Sequence, residues 1–354
     1  DKAAAANPMV KKSLAIVKEF LQTHPVMCYG GTAINNLLPE KDRFYDPATT
    51  VPDYDFYSKT PQEHSMILAN KLSEAGLEFV ESKPGMHLGT FKVFADFEGV
   101  ADITHLDEDI FDRLWKENIV RDKIHYVSPN FLRLSMYLEL SRPHGDVSRW
   151  KKVYERLQLL NKSYPIDCPM EKEAHEHPDL TEENRKVVEK ILTTKPVVLL
   201  GVTASQIHQG RSPTWMTPVT LLAEEKELKE LTDGKKTERH EGSEILPSHV
   251  DVFDDNGDVL LRIHETAACH SYHQMANGIR VASIPTMLQF FFAYMYSRVD
   301  EDEISHLLCV SQRLVDLASH KEKRRYALLT PIDCIGKQET LVDMKRHKSQ
   351  LYNE

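Results

Sequence analysis

An eleven-residue pattern, Thr-x-Pro-Val-x-x-x-Gly-x-Thr-Ala, occurs twice in this chain of 354 residues. It covers residues 23–33 and returns at 194–204, an offset of 194 − 23 = 171 residues. The chain length by itself favours about two domains. The repeat therefore predicts two copies of one fold. Later identities keep the same order at shrinking offsets, as shorter loops would give, and they are Pro52 with Pro218, Gly99 with Gly257, and Pro129 with Pro285.

Strands and helices alternate in the first copy. A short apolar strand at 26–29 leads into a glycine pair and a helix, and strands at 89–96 and 100–105 are joined by a predicted turn at 97–99. This pattern predicts an α/β (α+β) protein with two lobes, each a mixed sheet flanked by helices, the second lobe degenerate. We place the first lobe at 1–165, a proline-containing acidic linker at 166–180, and the second lobe with a basic C-terminal segment at 181–354.

Two carboxylates lie two residues apart in the sequence Pro-Asp-Tyr-Asp-Phe-Tyr at 52–57. Side chains at i and i+2 of a strand share a face, so Asp53 and Asp55 should point the same way. A third acid, Asp102, lies in the apolar run Val-Ala-Asp-Ile-Thr, where an unpaired charge is costly. Asp96 competes for this role, but it lies beside the predicted turn, where acids are common for local reasons. We favour Asp102.

Three such carboxylates are typical of a metal-dependent nucleotidyl transfer. Mg²⁺ takes carboxylate oxygens, waters and substrate phosphates as ligands. Two ions about 4 Å apart can neutralise the attacking and the leaving oxygens. Asp53, Asp55 and Asp102 are therefore the candidate metal ligands and catalytic residues, with Asp102 assisting the nucleophile. Asp-x-Asp alone also fits a solvated edge strand. The upstream glycine pair and the later Asp102 together favour the metal site.

The glycine pair, Gly30 and Gly31, follows the first strand where a helix begins. Glycine lets the backbone approach a phosphate, and a helix N-terminus offers free N–H groups. Thr32 and Asn35 are candidates for contacts to phosphate or sugar, although helix capping explains them equally well. Lys152, on a predicted helix at 147–162, could reach a triphosphate, although a solvated helix face is the ordinary explanation.

The second copy lacks the carboxylates. By the offsets, Val219 and Leu221 stand where the first copy has the acidic pair, and a residue near Leu260 stands in place of the third acid. This copy would keep the scaffold without the metal ligands. We expect it to bind or brace rather than to catalyse.

The charge balance limits the partners of the protein. There are 44 Lys and Arg residues against 54 Asp and Glu residues, a formal net charge of −10, which argues against a surface made for non-specific nucleic-acid binding. The segment from His320 to Lys348 is nevertheless basic, with eight Lys and Arg against four acids. No apolar run approaches the roughly 18 residues of a membrane-spanning helix. The clustered candidates for RNA-backbone contacts are Arg324, Arg325, Lys345, Arg346 and Lys348.

Five scattered cysteines without a Cys-x-x-Cys pair suggest free, mostly buried thiols in a reducing compartment. Cys269, with His270 and His273, could ligate zinc, but no fourth ligand at suitable spacing is evident, and we favour a structural role. The aromatic run at 290–294 could stack on bases, but a buried helix after Pro285 explains it better.

Four stretches together resemble the nucleotidyltransferase superfamily of DNA polymerase beta type. They are Tyr-Gly-Gly-Thr-Ala-Ile-Asn-Asn-Leu-Leu from residue 29, Pro-Asp-Tyr-Asp-Phe-Tyr from 52, Val-Ala-Asp-Ile-Thr from 100, and Ile-Gly-Lys-Gln from 335. Within that superfamily the chain looks most similar to the poly(A) polymerases of large DNA viruses, such as the giant-virus and asfarvirus group.

The resemblance implies template-independent addition of AMP from ATP to an RNA 3′ end, with two Mg²⁺ or Mn²⁺ ions. It implies two nucleotidyltransferase-like lobes of which only the first is active, and processivity through a homodimer or a partner subunit. It places the protein in the virion or the host cytoplasm, in the viral factory, with no membrane partner; without the resemblance we expect a cytoplasmic protein. Two alternatives remain open: another acceptor (a tRNA, a protein or a nucleotide), or a non-catalytic RNA-binding scaffold.

Overall fold

The computed structural model describes residues 7–169, 178–297, 301–319 and 333–352. The chain divides into two compact units, each built from more than one stretch. The first unit comprises the described parts of Asp1–Leu132, Leu159–Tyr164 and Glu339–Glu354, and the second comprises those of Arg133–Gln158 and Pro165–Gln338. The lobe boundaries inferred from the sequence stay a prediction, and residues 170–177 of the predicted linker lie outside the described residues.

The first unit is organised on a seven-stranded mixed sheet with the strand order β3-β4-β5-β2-β1-β7-β6. At its centre β1 pairs antiparallel with β2, and β2 pairs parallel with β5. Its elements are α1 (Pro8–Thr23), β1 (Met27–Tyr29), α2 (Gly30–Leu37), β2 (Tyr54–Ser58), α3 (Pro61–Glu74), β3 (Glu81–Pro84), β4 (Thr90–Ala95), β5 (Glu98–His105), α4 (Glu108–Lys116), β6 (Ile119–Arg121) and β7 (Ile124–Tyr126).

Helix α1 shows how this sheet is covered. Asn7 caps the helix by accepting a hydrogen bond from the Met9 N–H, and Pro8 occupies the first turn, where it costs no intrahelical bond. Val17, Phe20 and Leu21 repeat at helical spacing and are almost fully buried. Each such side chain contributes about 1.5–3 kcal/mol by leaving water. Burial of this face therefore fixes the helix beside the central strands.

The second unit repeats this architecture with the strand order β10-β11-β12-β9-β8-β14-β13-β15. The antiparallel β8–β9 pair and the parallel β9–β12 pair match β1–β2 and β2–β5. The elements are α7 (Glu182–Thr194), β8 (Val198–Leu200), α8 (Gly201–His208), β9 (Val219–Ala223), α9 (Glu225–Thr232), β10 (Thr237–His240), β11 (His249–Phe253), β12 (Val259–Glu265), β13 (His270–Gln274), β14 (Arg280–Ala282), α10 (Ile284–Met295), α11 (Glu301–Ser319) and β15 (Asp333–Ile335). The predicted fold class, two mixed sheets flanked by helices, is confirmed.

Three further helices complete the described chain. Helices α5 (Pro129–Leu140) and α6 (Trp150–Ser163) lie between the two sheets in sequence, and α12 (Leu341–Tyr352) follows β15. Every residue of α10 except Tyr294 is buried, which confirms that the aromatic run at 290–294 belongs to a buried helix, with Tyr294 as its one partly exposed member. Among the helices of the described residues, none has both the length and the apolar character that crossing a membrane would need.

The strand register corrects the match between the two copies. Tyr29 pairs with Asp55, and Asp55 pairs with Asp102, whereas Leu200 pairs with Thr220, and Thr220 pairs with Arg262. The acidic positions therefore correspond to Pro218, Thr220 and Arg262, and the predicted match to Val219, Leu221 and Leu260 is wrong. A slip of one residue along a strand moves a side chain to the opposite face, and Val219 and Leu221 indeed lie in the core.

The predicted position of the β4–β5 turn, at 97–99, is also wrong. The turn is formed by Asp96 and Phe97, both with positive φ. Gly99 lies in β5, opposite a bulge at Val93 and Phe94.

The prediction of free thiols is wrong for four of the five cysteines. Disulfides join Cys168 to Cys309 and Cys269 to Cys334, and Cys28 remains free and buried. The partners are 141 and 65 residues apart, so their spacing in the sequence carried no sign of the pairing.

Candidate active site

The parallel strands β2 and β5 bring the three predicted acids together. Asp55 on β2 lies directly opposite Asp102 on β5, and Asp53 immediately precedes β2. Carboxylate oxygens of the three residues lie within 4.8 Å of one another. Asp53 is exposed, and Asp55 and Asp102 are half-buried, so a ligand can reach the cluster from the side of Asp53. The alternative acid, Asp96, is in the hairpin turn and outside this cluster.

The cluster concentrates negative charge in a partly desolvated place. Burial raises the pKa of Asp55 well above its ordinary value, and the charges of Asp53 and Asp102 raise it further. Although Asp53 as a whole residue is exposed, partial desolvation of its carboxylate raises its pKa as well, with the charge of Asp102 as the second cause. Mutual repulsion of this kind is relieved when a cation binds between the carboxylates. Three hard oxygen donors within reach of one another fit Mg²⁺ or Mn²⁺.

Lys92 is a site residue that the sequence did not indicate. Its Nζ lies 3.4 Å from each carboxylate oxygen of Asp102, and its charge opposes the rise in the pKa of Asp53 and Asp55. It lies opposite Asp102 because β4 pairs with β5 through a two-residue turn and the register then shifts by one residue at the bulge of Val93 and Phe94. A turn at 96–97 without this bulge would bring Phe91 opposite Asp102, so the turn alone does not reveal Lys92.

Gly30 lies directly beside the acidic cluster. Its φ is +78°, and a Cβ at this position would lie 2.9 Å from the Asp55 Oδ2. Only glycine therefore lets the backbone pass so close to this carboxylate. Helix α2 begins here, and its N-cap, Tyr29, supplies no side-chain hydrogen bond. The first N–H groups of the helix are thus left for a ligand or for water.

Thr32 and Asn35, predicted to contact nucleotide, make hydrogen bonds within the protein. Thr32 Oγ1 donates to the Asp53 carbonyl oxygen at 2.8 Å, and Asn35 Oδ1 accepts from the N–H groups of Phe44 and Tyr45. Both side chains are buried. They hold the loop that leads into β2 and so position Asp53, and their contact with nucleotide stays a prediction.

A layer of hydroxyl groups supports the β2 and β5 strands. Tyr29 stacks on Tyr57 with ring centroids 3.9 Å apart, and its hydroxyl forms a 2.9 Å hydrogen bond with Thr104 Oγ1. Thr104 Oγ1 in turn contacts Thr90 Oγ1 at 3.0 Å. This network joins β1, β2, β5 and β4, the strands that carry the acidic cluster and Lys92.

The remaining predicted residues lie on helices or outside the described chain. Lys152 is exposed on α6, in the second unit, and its role stays a prediction. Helix α12 carries Lys345, Arg346 and Lys348 in the first unit, and Arg324 and Arg325 lie outside the described residues. Lys348 Nζ donates to the Pro84 carbonyl oxygen at 3.0 Å, and Arg346 pairs with Asp343.

Residues 15–146, which include the acidic cluster and Gly30, match the sequence profile of the poly(A) polymerase catalytic subunit family. The resemblance inferred from the sequence is confirmed. A protein of Acanthamoeba polyphaga mimivirus, provisionally named a poly(A) polymerase catalytic subunit, is 33% identical over 158 residues, which are 44% of this chain and 26% of that protein. A protein of African swine fever virus with the same provisional name is 30% identical over 174 residues, which are 48% of this chain and 36% of that protein.

The fold as a whole also has a solved counterpart. The Megavirus polyadenylate synthase structure superposes with a TM-score of 0.81 at 18% identity, and the match covers 99% of this chain and 79% of that one. At this identity the likeness establishes the fold. In sequence, the matches span only about a quarter to a third of the length of the curated viral relatives, and they fall on less than half of this chain.

Proposed function

We propose that this protein is a template-independent poly(A) polymerase, a polynucleotide adenylyltransferase that adds AMP from ATP to the 3′ end of RNA. The observation that supports this most directly is the convergence of Asp53, Asp55 and Asp102 beside Gly30. The family match over the same residues and the fold of a viral polyadenylate synthase support the same activity.

In this reaction the 3′ hydroxyl oxygen attacks the α-phosphorus of ATP, the bond to the β-phosphate breaks, and pyrophosphate leaves. Two divalent cations, Mg²⁺ or Mn²⁺, neutralise the attacking and leaving oxygens when bound. Asp53, Asp55 and Asp102 would hold these ions, and Asp102 would assist removal of the hydroxyl proton. Gly30 and Gly31 leave space for the triphosphate, whose charge the free N–H groups of α2 would meet.

We propose that the RNA approaches along α12. This helix lies against β3 through the Lys348 contact to Pro84, and β3 is hairpin-paired with β4, the strand of Lys92. Lys345 and Lys348 line an open groove with Pro84, Met86, Ser349 and Tyr352. Two cations and an aromatic ring are groups that bind a phosphate backbone and stack on a base.

The names of the viral relatives motivate two further proposals. Because they are catalytic subunits by name, we propose that a second copy of this chain or a separate processivity subunit assists extension. We also propose that the protein is located in the cytoplasmic viral factory of an infected host, in the virion, or in both.

The experiment that tests the activity is primer extension. A labelled single-stranded RNA is incubated with the protein, Mg²⁺ or Mn²⁺, and each of the four nucleoside triphosphates separately. We expect a long ladder with ATP and little or no extension with the other three. Extension of a tRNA, a protein or a nucleotide in place of the RNA would assign a different acceptor, and RNA binding without extension would assign a scaffold.

Two matched variants locate the activity within the first unit. Asp102→Asn removes a charge from the acidic cluster and should lower the rate by about 10²–10³-fold or more. Asp96→Asn makes the same chemical change on the same hairpin, at a positive-φ turn position that asparagine tolerates, and should leave the rate unchanged. Equal loss in both variants, or activity in Asp102→Asn close to that of the wild type, would contradict the assignment.

A further inference from the structure

Three side chains with sulfur or nitrogen donor atoms converge in the second unit, in a cluster that the proposed reaction does not use. They are His144, in the loop after α5, Cys269, just before β13, and Cys334, on β15. Their donor atoms lie within 4.8 Å of one another, and His144 Nδ1 lies 3.5 Å from Cys334 Sγ. They are 125 and 65 residues apart along the chain (269 − 144 and 334 − 269), so only the fold brings them together.

The backbone around the cluster is held in place from several sides. β15 pairs with β13 through Ile335 and Cys334, and the Ser271 N–H on β13 donates to the Ser141 carbonyl oxygen, three residues before His144. Immediately after β15, a Cβ on Gly336 would lie 2.0 Å from the Ala268 carbonyl oxygen. The backbone at Gly336 therefore packs directly against the backbone at Ala268. The three donors are therefore positioned before any ligand arrives, which lowers the cost of binding.

The donor set differs in kind from the acidic cluster of the first unit. Two sulfurs and one imidazole are the ligands that zinc prefers, whereas three carboxylates suit Mg²⁺ or Mn²⁺. The Cys269–Cys334 pair forms a disulfide in this structure. A disulfide involves only the two cysteines, so it does not explain why His144 lies beside them. The other disulfide, Cys168–Cys309, belongs to no such donor cluster among the described residues.

We propose that Cys269 and Cys334, in their dithiol form, bind a divalent cation of the zinc class together with His144. Three protein ligands leave the fourth tetrahedral position to a water molecule, which the exposure of His144 permits. The bound ion would hold the edge strand β15 and the loop of His144 against β13, as the disulfide does under oxidising conditions. The partners differ from the Cys269, His270 and His273 set that the sequence suggested.

The chemistry of loading balances without a further reactant from the protein. A phosphine reductant and one water convert the disulfide into two thiols and are consumed as a phosphine oxide. Each thiol then releases its proton as it becomes a thiolate ligand, and the neutral imidazole binds through a ring nitrogen. Affinity for the cation should therefore rise with pH through the range in which thiols ionise.

The test measures metal directly and needs no activity assay. Protein reduced with a phosphine is equilibrated with Zn²⁺, desalted and analysed for zinc, and a parallel sample receives Co²⁺ for absorption spectroscopy. We expect about one tightly held zinc per chain and the charge-transfer band of a cobalt–thiolate complex. The band separates this site from metal held by carboxylates, because oxygen ligands give no thiolate transition.

Three variants distinguish the proposed three-ligand zinc site from unspecific binding of zinc to cysteine thiols. His144→Ala leaves both cysteines intact and should weaken zinc binding by more than about tenfold, since even outer-shell partners of a metal ligand are worth about 10–100-fold. Cys334→Ser should abolish the cobalt–thiolate band, and Cys168→Ser, a matched loss of the other disulfide, should keep it. The proposal is overturned if the reduced wild type holds no zinc, if His144→Ala binds as tightly as the wild type, or if Cys168→Ser loses the metal as completely as Cys334→Ser.

Discussion

The two units carry the same cross-strand ion pair with its charges reversed. In the first unit, Lys92 on β4 lies opposite Asp102 on β5. In the second, Asp251 on β11 lies opposite Arg262 on β12, in the strands that occupy the same places in the sheet. One scaffold therefore supports an anionic cluster in one unit and a cation at the corresponding position in the other. The comparison teaches that the fold provides the positions and that a few side chains decide the charge found at each of them.

Asp55 of the first unit and Thr220 of the second unit occupy equivalent positions on β2 and β9. Asp55→Thr places the second unit's residue into the first, and we expect a loss of at least about 10²–10³-fold in extension rate because the charge of a proposed metal ligand disappears. Thr220→Val, the matched change in the second unit, should leave the rate close to that of the wild type. Steady-state extension rates, with circular dichroism to verify folding, check both. Comparable losses in the two variants would mean that the second unit also takes part in catalysis.

The reversed ion pair should matter for stability. Asp251 is almost fully buried and accepts two hydrogen bonds from the Arg262 guanidinium, at 2.9 and 3.3 Å. Arg262→Met leaves that carboxylate without its main partner and should cost about 3 kcal/mol in the free energy of unfolding. The double variant Asp251→Leu with Arg262→Met should recover most of this loss, because an apolar pair replaces an ion pair at little cost. Urea unfolding of the single and double variants measures the difference, and an additive loss would refute the pairing.

The two helix-opening glycines provide a third contrast. Both have a positive φ, but a Cβ on Gly30 would meet Asp55 Oδ2 at 2.9 Å, whereas one on Gly201 would meet Thr220 at 3.5 Å, an ordinary contact. Alanine at either position should cost about 1–2 kcal/mol of backbone strain. Gly30→Ala should in addition lower the extension rate at least tenfold by displacing Asp55, and Gly201→Ala should not. Melting temperatures and rates measured on the same preparations separate strain from displacement.

The second unit should also be sensitive to mild acid. Burial lowers the pKa of His208 to about 4, and its Nε2 donates to the Ala282 carbonyl oxygen. A histidine in the unfolded chain has a pKa of about 6.5, so the unfolded state binds more protons between about pH 6.5 and pH 4. The stability contributed by neutral His208 is complete above about pH 6.5 and falls as the pH is lowered through that window, by about 2 kcal/mol at pH 5.

Replacing His208 tests whether this side chain makes the free energy of unfolding fall as the pH is lowered. His208→Gln, which can still donate a hydrogen bond, should make the free energy of unfolding depend less steeply on pH between 7.5 and 5. His87→Gln, at an exposed position of the first unit, should keep the wild-type slope. A slope unchanged in His208→Gln would show that this side chain is not buried in its neutral form.

The smallest effect is expected for replacement of Lys92, which should change the affinity of the acidic cluster for divalent cations. Lys92→Met removes a positive charge 3.4 Å from the Asp102 carboxylate, which should strengthen binding of the divalent cations severalfold. The gain is limited because the Lys92 side chain is 41% exposed and water screens its charge. Titration of Mn²⁺ by electron paramagnetic resonance measures the affinity. Weaker Mn²⁺ binding in this variant would mean that Lys92 organises the carboxylates rather than competing for them.

Local patterns in the sequence predicted the acidic cluster and the repeat. Alternation along β2 predicts that Asp53 and Asp55 share a face, and an acid in an apolar strand predicts a paired or metal-bound role for Asp102. The same patterns could not fix the register, because a hairpin's pairing depends on its turn. The β4–β5 turn lies at 96–97 rather than at 97–99, and the bulge at Val93 and Phe94 shifts the register once more, so both features were needed to find Lys92. Counting offsets through loops misplaced Pro218, Thr220 and Arg262.

What the sequence determined by itself was the two-fold repetition of an α/β unit and the three acids of its first copy, because strand alternation and glycine at a strand–helix turn are local properties of the chain. Tertiary structure alone decided the neighbours of those acids, the reversed charges at Asp251 and Arg262, and the meeting of His144, Cys269 and Cys334. These contacts join residues that are far apart along the chain or that depend on an exact strand register. Their energies arise from packing and desolvation, which no short window of sequence contains.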